Sequence, residues 1–234
     1  MKKIQLFLLH FAGGNCYSFQ FLYPLLNNFE IIPVELPGRG MRIREELIRD
    51  FDEAAGDIYQ QIFKKLNGND FMLYGHSMGA SLALRVAHML EAENKIPKSL
   101  LVSGNTGPNT KRYQARYLMN NADFIEEIKK LGGAPDELFE SEDLLDFYLP
   151  ILRADFEIVE NRVSSEEAAV LTPIYSMMGD LEENHQEISN WGNYTKTKFN
   201  SKIFEGGHFF IHDYPNEIAE IINQAYDREQ LIYN

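Results

Sequence analysis

Leu73-Tyr74-Gly75-His76-Ser77-Met78-Gly79-Ala80-Ser81 is the stretch on which the reading of this chain turns. The run Asp70–Tyr74 before it is short, apolar and strand-like. After it, Leu82, Val86, Ala87 and Leu90 recur along one face of a helical segment from Ser77 to Glu93. Gly75, Ser77 and Gly79 therefore form Gly-x-Ser-x-Gly between a strand and a helix. A serine on so sharp a turn takes strained backbone angles, and neighbours two positions away must lack bulk. Its hydroxyl then projects beyond the sheet. The backbone N–H of Met78, at the start of the helix and aided by its dipole, becomes a candidate donor to a developing oxyanion.

Outward from this turn, short apolar runs alternate with helical patterns. Ile4–Leu9, Phe29–Val34, Asp70–Tyr74, Ser99–Ser103, Pro173–Met178 and Asn200–Phe204 read as strands, most of them ending in turn residues such as Gly75, Gly104 and Gly179. Phe51, Ala55, Ile58, Ile62 and Leu66 mark a helix with Asp50 or Asp52 as N-cap, and Ile218, Ile221, Ile222 and Ala225 mark a final one. The alternation predicts an α/β fold: one domain over residues 1–234, with a mostly parallel central sheet flanked by helices. From 111 to 167 no strand is evident, only amphipathic pieces at Asp123–Leu131, Ser141–Leu149 and Ile151–Asn161. A single crossover needs far fewer residues, so this region is expected to be a helical lid insertion over the active-site end of the sheet.

The other half of an oxyanion hole is expected in the loop after the first strand, His10-Phe11-Ala12-Gly13-Gly14, with the N–H of Phe11 or Ala12 as donor. His10 and His76 flank the site, where backbone hydrogen bonds can satisfy them. A base is sought last in chain order. His208, after Phe204-Glu205-Gly206-Gly207, is preferred over His212. The acid that orients it is sought in Gly179-Asp180-Leu181-Glu182-Glu183, where both Glu182 and Asp180 stay open. Cys16, the one cysteine, reads as a packing residue and excludes an intrachain disulfide.

The bulk numbers exclude more than they assign. In 234 residues the net charge is −13, which repels a phosphate backbone and argues against nucleic acid as partner. The run Leu6–Leu9 after two lysines is too short for a signal core, and no apolar stretch approaches the ~20 residues of a membrane span. No membrane partner is expected; a monomer in the cytoplasm is.

The chain resembles the type II (editing) thioesterases of nonribosomal peptide and polyketide synthase clusters, within the α/β-hydrolase superfamily. The resemblance runs over nearly the full length. It rests on Phe11-Ala12-Gly13-Gly14, Leu36-Pro37-Gly38-Arg39-Gly40, Gly75-His76-Ser77-Met78-Gly79, Leu131-Gly132-Gly133-Ala134-Pro135, Leu149-Pro150-Ile151-Leu152-Arg153-Ala154-Asp155 and Gly206-Gly207-His208-Phe209-Phe210. It implies the α/β-hydrolase fold and hydrolysis of acyl groups from phosphopantetheine arms of acyl or peptidyl carrier proteins, without metal or cofactor. The family's nucleophile falls on Ser77 and its histidine on His208, and its acid precedes a tryptophan that Trp191 matches. The sequence departs from the family there: the usual Gly-x-x-Asp reads Gly-Asp-Leu-Glu, and the loop to Trp191 is short. Related type I enzymes can carry the acid after an earlier strand, but Val102-Ser103-Gly104-Asn105-Thr106 offers no carboxylate.

The chemistry implied is a two-step acyl transfer, with Ser77 acylated under base catalysis by His208 and then freed by water. Tyr148, Leu149, Ile151, Leu152 and Phe156 either shelter the acyl chain or pack the lid on the core. Lys111, Arg112 and Arg116 form one candidate patch for carrier docking. Competing readings are a medium-chain fatty acyl carrier thioesterase, a carboxylesterase acting on oxygen esters, and a silent carrier-binding protein.

Overall fold

In the computed structural model, which describes residues 3–110, 115–132, 136–161 and 167–230, six strands form one sheet. They are β1 (Ile4–Leu9), β2 (Phe29–Val34), β3 (Phe71–His76), β4 (Leu100–Ser103), β5 (Ile174–Gly179) and β6 (Phe199–Phe204). Their order is β2-β1-β3-β4-β5-β6, and every pairing is parallel. A parallel sheet must be covered on both faces, which explains runs that are apolar throughout rather than alternating. Phe7, Leu9, Phe71 and Leu73 point into one core, while Leu6, Leu8, Met72 and Tyr74 point into the other.

Helices α1 (Phe51–Lys65) and α2 (Met78–Ala92) supply Ala55, Ile58, Ile62, Leu82, Val86 and Leu90 to the first core. The 3₁₀ turn Gln20–Leu25 and the last helix supply Leu22, Ile218 and Ile222 to the second. Asp50, not Asp52, caps α1, its carboxylate accepting the N–H groups of Asp52 and Glu53 at 2.9 Å. Between β4 and β5 lie α3 (Asn121–Leu131), α4 (Asp136–Glu140) and α5 (Glu142–Glu160), and α6 (Pro215–Gln230) closes the chain. Phe124 and Ile128 of α3 pack with Leu149, Leu152 and Phe156 of α5 in a third, smaller core.

Three sequence expectations are corrected. The strand expected to stop at Tyr74 continues through Gly75 and His76, because the ladder pairs Gly75 with Leu9 and Val102, and His76 with Ser103. Gly179 likewise ends inside β5, paired with Phe204. The break expected at Pro150 is absent: α5 runs unbroken for 19 residues. Proline removes one helical hydrogen bond, but Leu149, Ile151, Leu152 and Ala154 around it are all buried, and their packing outweighs that loss.

Candidate active site

The chain leaves β1 toward β2 on one side and returns to β3 on the other. Where strand order reverses, the connections part at the carboxyl ends of the two strands and leave a crevice. Phe11-Ala12-Gly13-Gly14 emerges from β1 there, and Ser77 emerges from β3 beside it.

Ser77 has φ 56° and ψ −113°, a conformation that costs a non-glycine residue about 1–3 kcal/mol. The surroundings impose it. The Ser77 N–H donates to the Ser103 carbonyl at 2.8 Å. The Asn105 amide donates to the Ser77 carbonyl and to Ser81 Oγ, each at 3.0 Å. Asn105 is itself held, since the buried Trp191 indole N–H donates to its carbonyl at 2.7 Å. The small neighbours are required: a Cβ on Gly75 would stand 2.7 Å from Ala80 N, and one on Gly79 would stand 2.7 Å from the His10 carbonyl. The second contact seats the start of α2 against the Leu9 and His10 carbonyls at the end of β1. Met78 precedes Gly79 and Phe11 follows His10, so both segments expected to supply oxyanion donors adjoin this contact.

His10 is buried, with Nδ1–H donating to the Phe11 carbonyl at 2.8 Å and Nε2 accepting the Leu36 N–H at 3.3 Å. Burial, reinforced by the Arg39 cation, lowers its pKa to about 4, so it is neutral in this tautomer at neutral pH. His76 is also buried, and its Nδ1 bonds a side chain, Ser103 Oγ, at 2.8 Å. Burial first, then neighbouring His208 and His212, hold its pKa well below the ordinary value.

Of the two candidate acids, Glu182 is the one that meets His208. His208 Nδ1–H donates to Glu182 Oε2 at 2.6 Å, with the two side chains 15% and 7% exposed. Glu182 Oε1 accepts the Gly179 N–H at 2.9 Å, which fixes the carboxylate at the end of β5. Asp180 is exposed and turns to the Gly206 N–H, 2.8 Å away, bracing the loop that carries His208. The His208 ring centroid lies 5.0 Å from that of His76, the residue before Ser77. His212 lies instead against Phe21 and Phe209.

Cys16 is half-buried, and burial pushes its thiol pKa up, away from a nucleophilic thiolate. Arg116 pairs with Glu160 at 2.6 Å and covers the Phe156 ring, so its charge is spent within the fold. Lys111 and Arg112 of the same patch, and Gly133, Ala134 and Pro135, lie outside the described residues. Asn105, Arg39 and Asp155 carry structural connections that sequence reasoning did not assign. The only signal for the last two was their place in the quoted motif blocks.

A parallel sheet with a strained serine turn after β3 and a histidine–carboxylate pair after β6 and β5 defines the class: this is the α/β-hydrolase fold. Within it, residues 4–226 match the thioesterase domain family, and the chain belongs to that family. It is 28% identical to thioesterase PikA5 of Streptomyces venezuelae over 226 residues, 95% of this chain and 80% of that protein. It is 31% identical to the probable anguibactin biosynthesis thioesterase AngT of Vibrio anguillarum, covering 92% and 88%. Among solved structures, ClbQ from the colibactin nonribosomal peptide and polyketide pathway superposes with a TM-score of 0.91 at 28% identity, covering 99% of this chain and 100% of that one. No helix among the described residues is long and apolar enough to cross a membrane.

Proposed function

We propose that this chain is a type II thioesterase that hydrolyses short or aberrant acyl groups from the phosphopantetheine thiol of carrier proteins serving a nonribosomal peptide or polyketide synthase. The observation that carries the reading is the Glu182–His208 pair, placed beside the Ser77 turn in a chain of the thioesterase family. Glu182 holds the imidazole with Nδ1 protonated and leaves Nε2 as base. His208 takes the Ser77 proton as Oγ attacks the thioester carbonyl. The N–H groups of Met78 and of Phe11 or Ala12 stabilise the tetrahedral oxyanion. The C–S bond breaks, and the leaving sulfur takes the imidazolium proton, departing as the thiol and returning His208 to the neutral base. Water, deprotonated by His208, then adds to the acyl-enzyme, and Ser77 Oγ departs with the proton returned.

Helices α3, α4 and α5, within the insertion 111–167, serve as the lid of this site. The apolar side chains Leu149, Leu152 and Phe156 are engaged in the core between α3 and α5, which supports their packing role over direct shelter of the acyl chain. The test compares hydrolysis of acyl-pantetheine thioesters with matched oxygen esters, alongside fluorophosphonate labelling of wild type and Ser77→Ala. Thioester preference with labelling lost in the variant is the expected result. Equal or better turnover of oxygen esters rejects the thioesterase reading, and labelling undiminished in Ser77→Ala rejects the nucleophile.

A further inference from the structure

We propose that Asp155, Arg39 and Tyr148 are positioning residues for the oxyanion loop: α5 grips Gly13 by both ends of its backbone and so aims the N–H preceding it. The inference rests on the reading of Ser77 and the Phe11–Ala12 amides given above. Asp155 Oδ2 accepts the Gly13 N–H at 2.7 Å, and the Tyr148 hydroxyl donates to the Gly13 carbonyl at 2.6 Å. Both side chains belong to α5, more than 130 residues along the chain. Arg39 makes a two-pronged pair with the same carboxylate, Nη1 to Oδ2 at 2.5 Å and Nη2 to Oδ1 at 2.7 Å, and also reaches the Pro37 and Gly14 carbonyls. The pair is closed to water, at 3% and 0% exposure.

Stability alone gives no reason for a charge pair in this position, because apolar residues of similar volume usually serve as well or better. What an apolar pair cannot do is accept the Gly13 N–H. Gly13 needs the grip: its φ is +75°, and a Cβ there would stand 2.6 Å from Leu152 Cδ2. On its other side, the loop is fixed by the His10 bond to the Phe11 carbonyl. The amide aimed at the reacting carbonyl lies between these two anchors. Preorganised donors lose their worth when free to turn, because they must then be reoriented during the reaction. Oxyanion-loop geometry is therefore set by α5, the helix that also packs against α1 and α2.

The test uses the full chain and the double variant Arg39→Met/Asp155→Leu, which removes both charges together, with Tyr148→Phe beside it. Deleting one oxyanion donor outright costs about 10²–10³ in kcat. Loosening it is expected to cost the double variant about tenfold or more in kcat, with KM, acyl-length preference and Tm close to wild type. The fluorophosphonate labelling rate at Ser77 should fall in parallel, because the phosphonyl oxygen uses the same donors. Tyr148→Phe should fall several-fold in kcat in the same pattern. Full kcat in a folded double variant overturns the proposal, as does a loss confined to KM that varies with acyl length, which would make these residues contacts to the acyl chain. If the double variant does not fold, Tyr148→Phe decides alone: unchanged kcat overturns the proposal. A wild-type chain that is neither active nor labelled at Ser77 overturns the functional reading, and this one with it.

Discussion

Replacing Glu182 by glutamine keeps the size and one acceptor but changes what His208 meets. The amide oxygen can still take the Gly179 N–H that Glu182 Oε1 accepts at 2.9 Å. The other end then presents NH₂ where Oε2 stood 2.6 Å from His208 Nδ1. Two donors cannot share that contact, so the imidazole turns to its other tautomer, with the proton on Nε2 and no base toward Ser77. The pair is nearly closed to solvent, at 15% and 7% exposure, so water screens little of the lost charge interaction. The comparable change in a serine protease triad costs about 10⁴ in kcat. We expect about 10³–10⁴ here, or roughly 4–5.5 kcal/mol of activation free energy. Asp180→Asn retains an oxygen for the Gly206 N–H on an exposed residue and should change kcat by less than about threefold. Steady-state hydrolysis of an acyl-pantetheine thioester by both variants measures the difference. Near-normal turnover by Glu182→Gln, or a greater loss in Asp180→Asn than in Glu182→Gln, refutes the assignment.

Two other expectations concern stability. His10 is buried and neutral with its pKa lowered to about 4, against 6.5 when unfolded. Between those values the unfolded chain binds a proton that the folded chain does not, so stability is full above pH 6.5 and is lost as pH falls toward 4. At 1.36 kcal/mol per decade this amounts to about 3 kcal/mol. Urea midpoints across that window should show a shallower slope in His10→Gln, and identical slopes would discard the linkage. Pro150 is exposed within α5 and leaves the Asp146 carbonyl without its helical donor. Pro150→Ala should therefore raise stability by about 2 kcal/mol, partly offset by a freer unfolded chain, and Tm by roughly 4–8 °C. A lower Tm would mean that the proline favours the folded state.

The turn at Ser77, both flanking glycines and the alternation of strand and helix were legible in the sequence. Each depends on residues close together in the chain, where spacing and side-chain size dictate local geometry. Which carboxylate meets His208 was not legible, because Asp180 and Glu182 sit on one short loop, and 26 residues separate Glu182 from His208. Only the parallel pairing of β5 with β6 brings the ends of the two strands together, and the side chain length that fits then selects Glu182. The unbroken α5 was hidden for a related reason: proline weakens a helix locally, while the burial that sustains it comes from distant side chains. The grip on Gly13 joins residues 116 and 142 positions apart. Periodicity reports which residues lie inside, but only the packed fold decides which buried charge meets which backbone amide, because that contact is made between elements rather than along them.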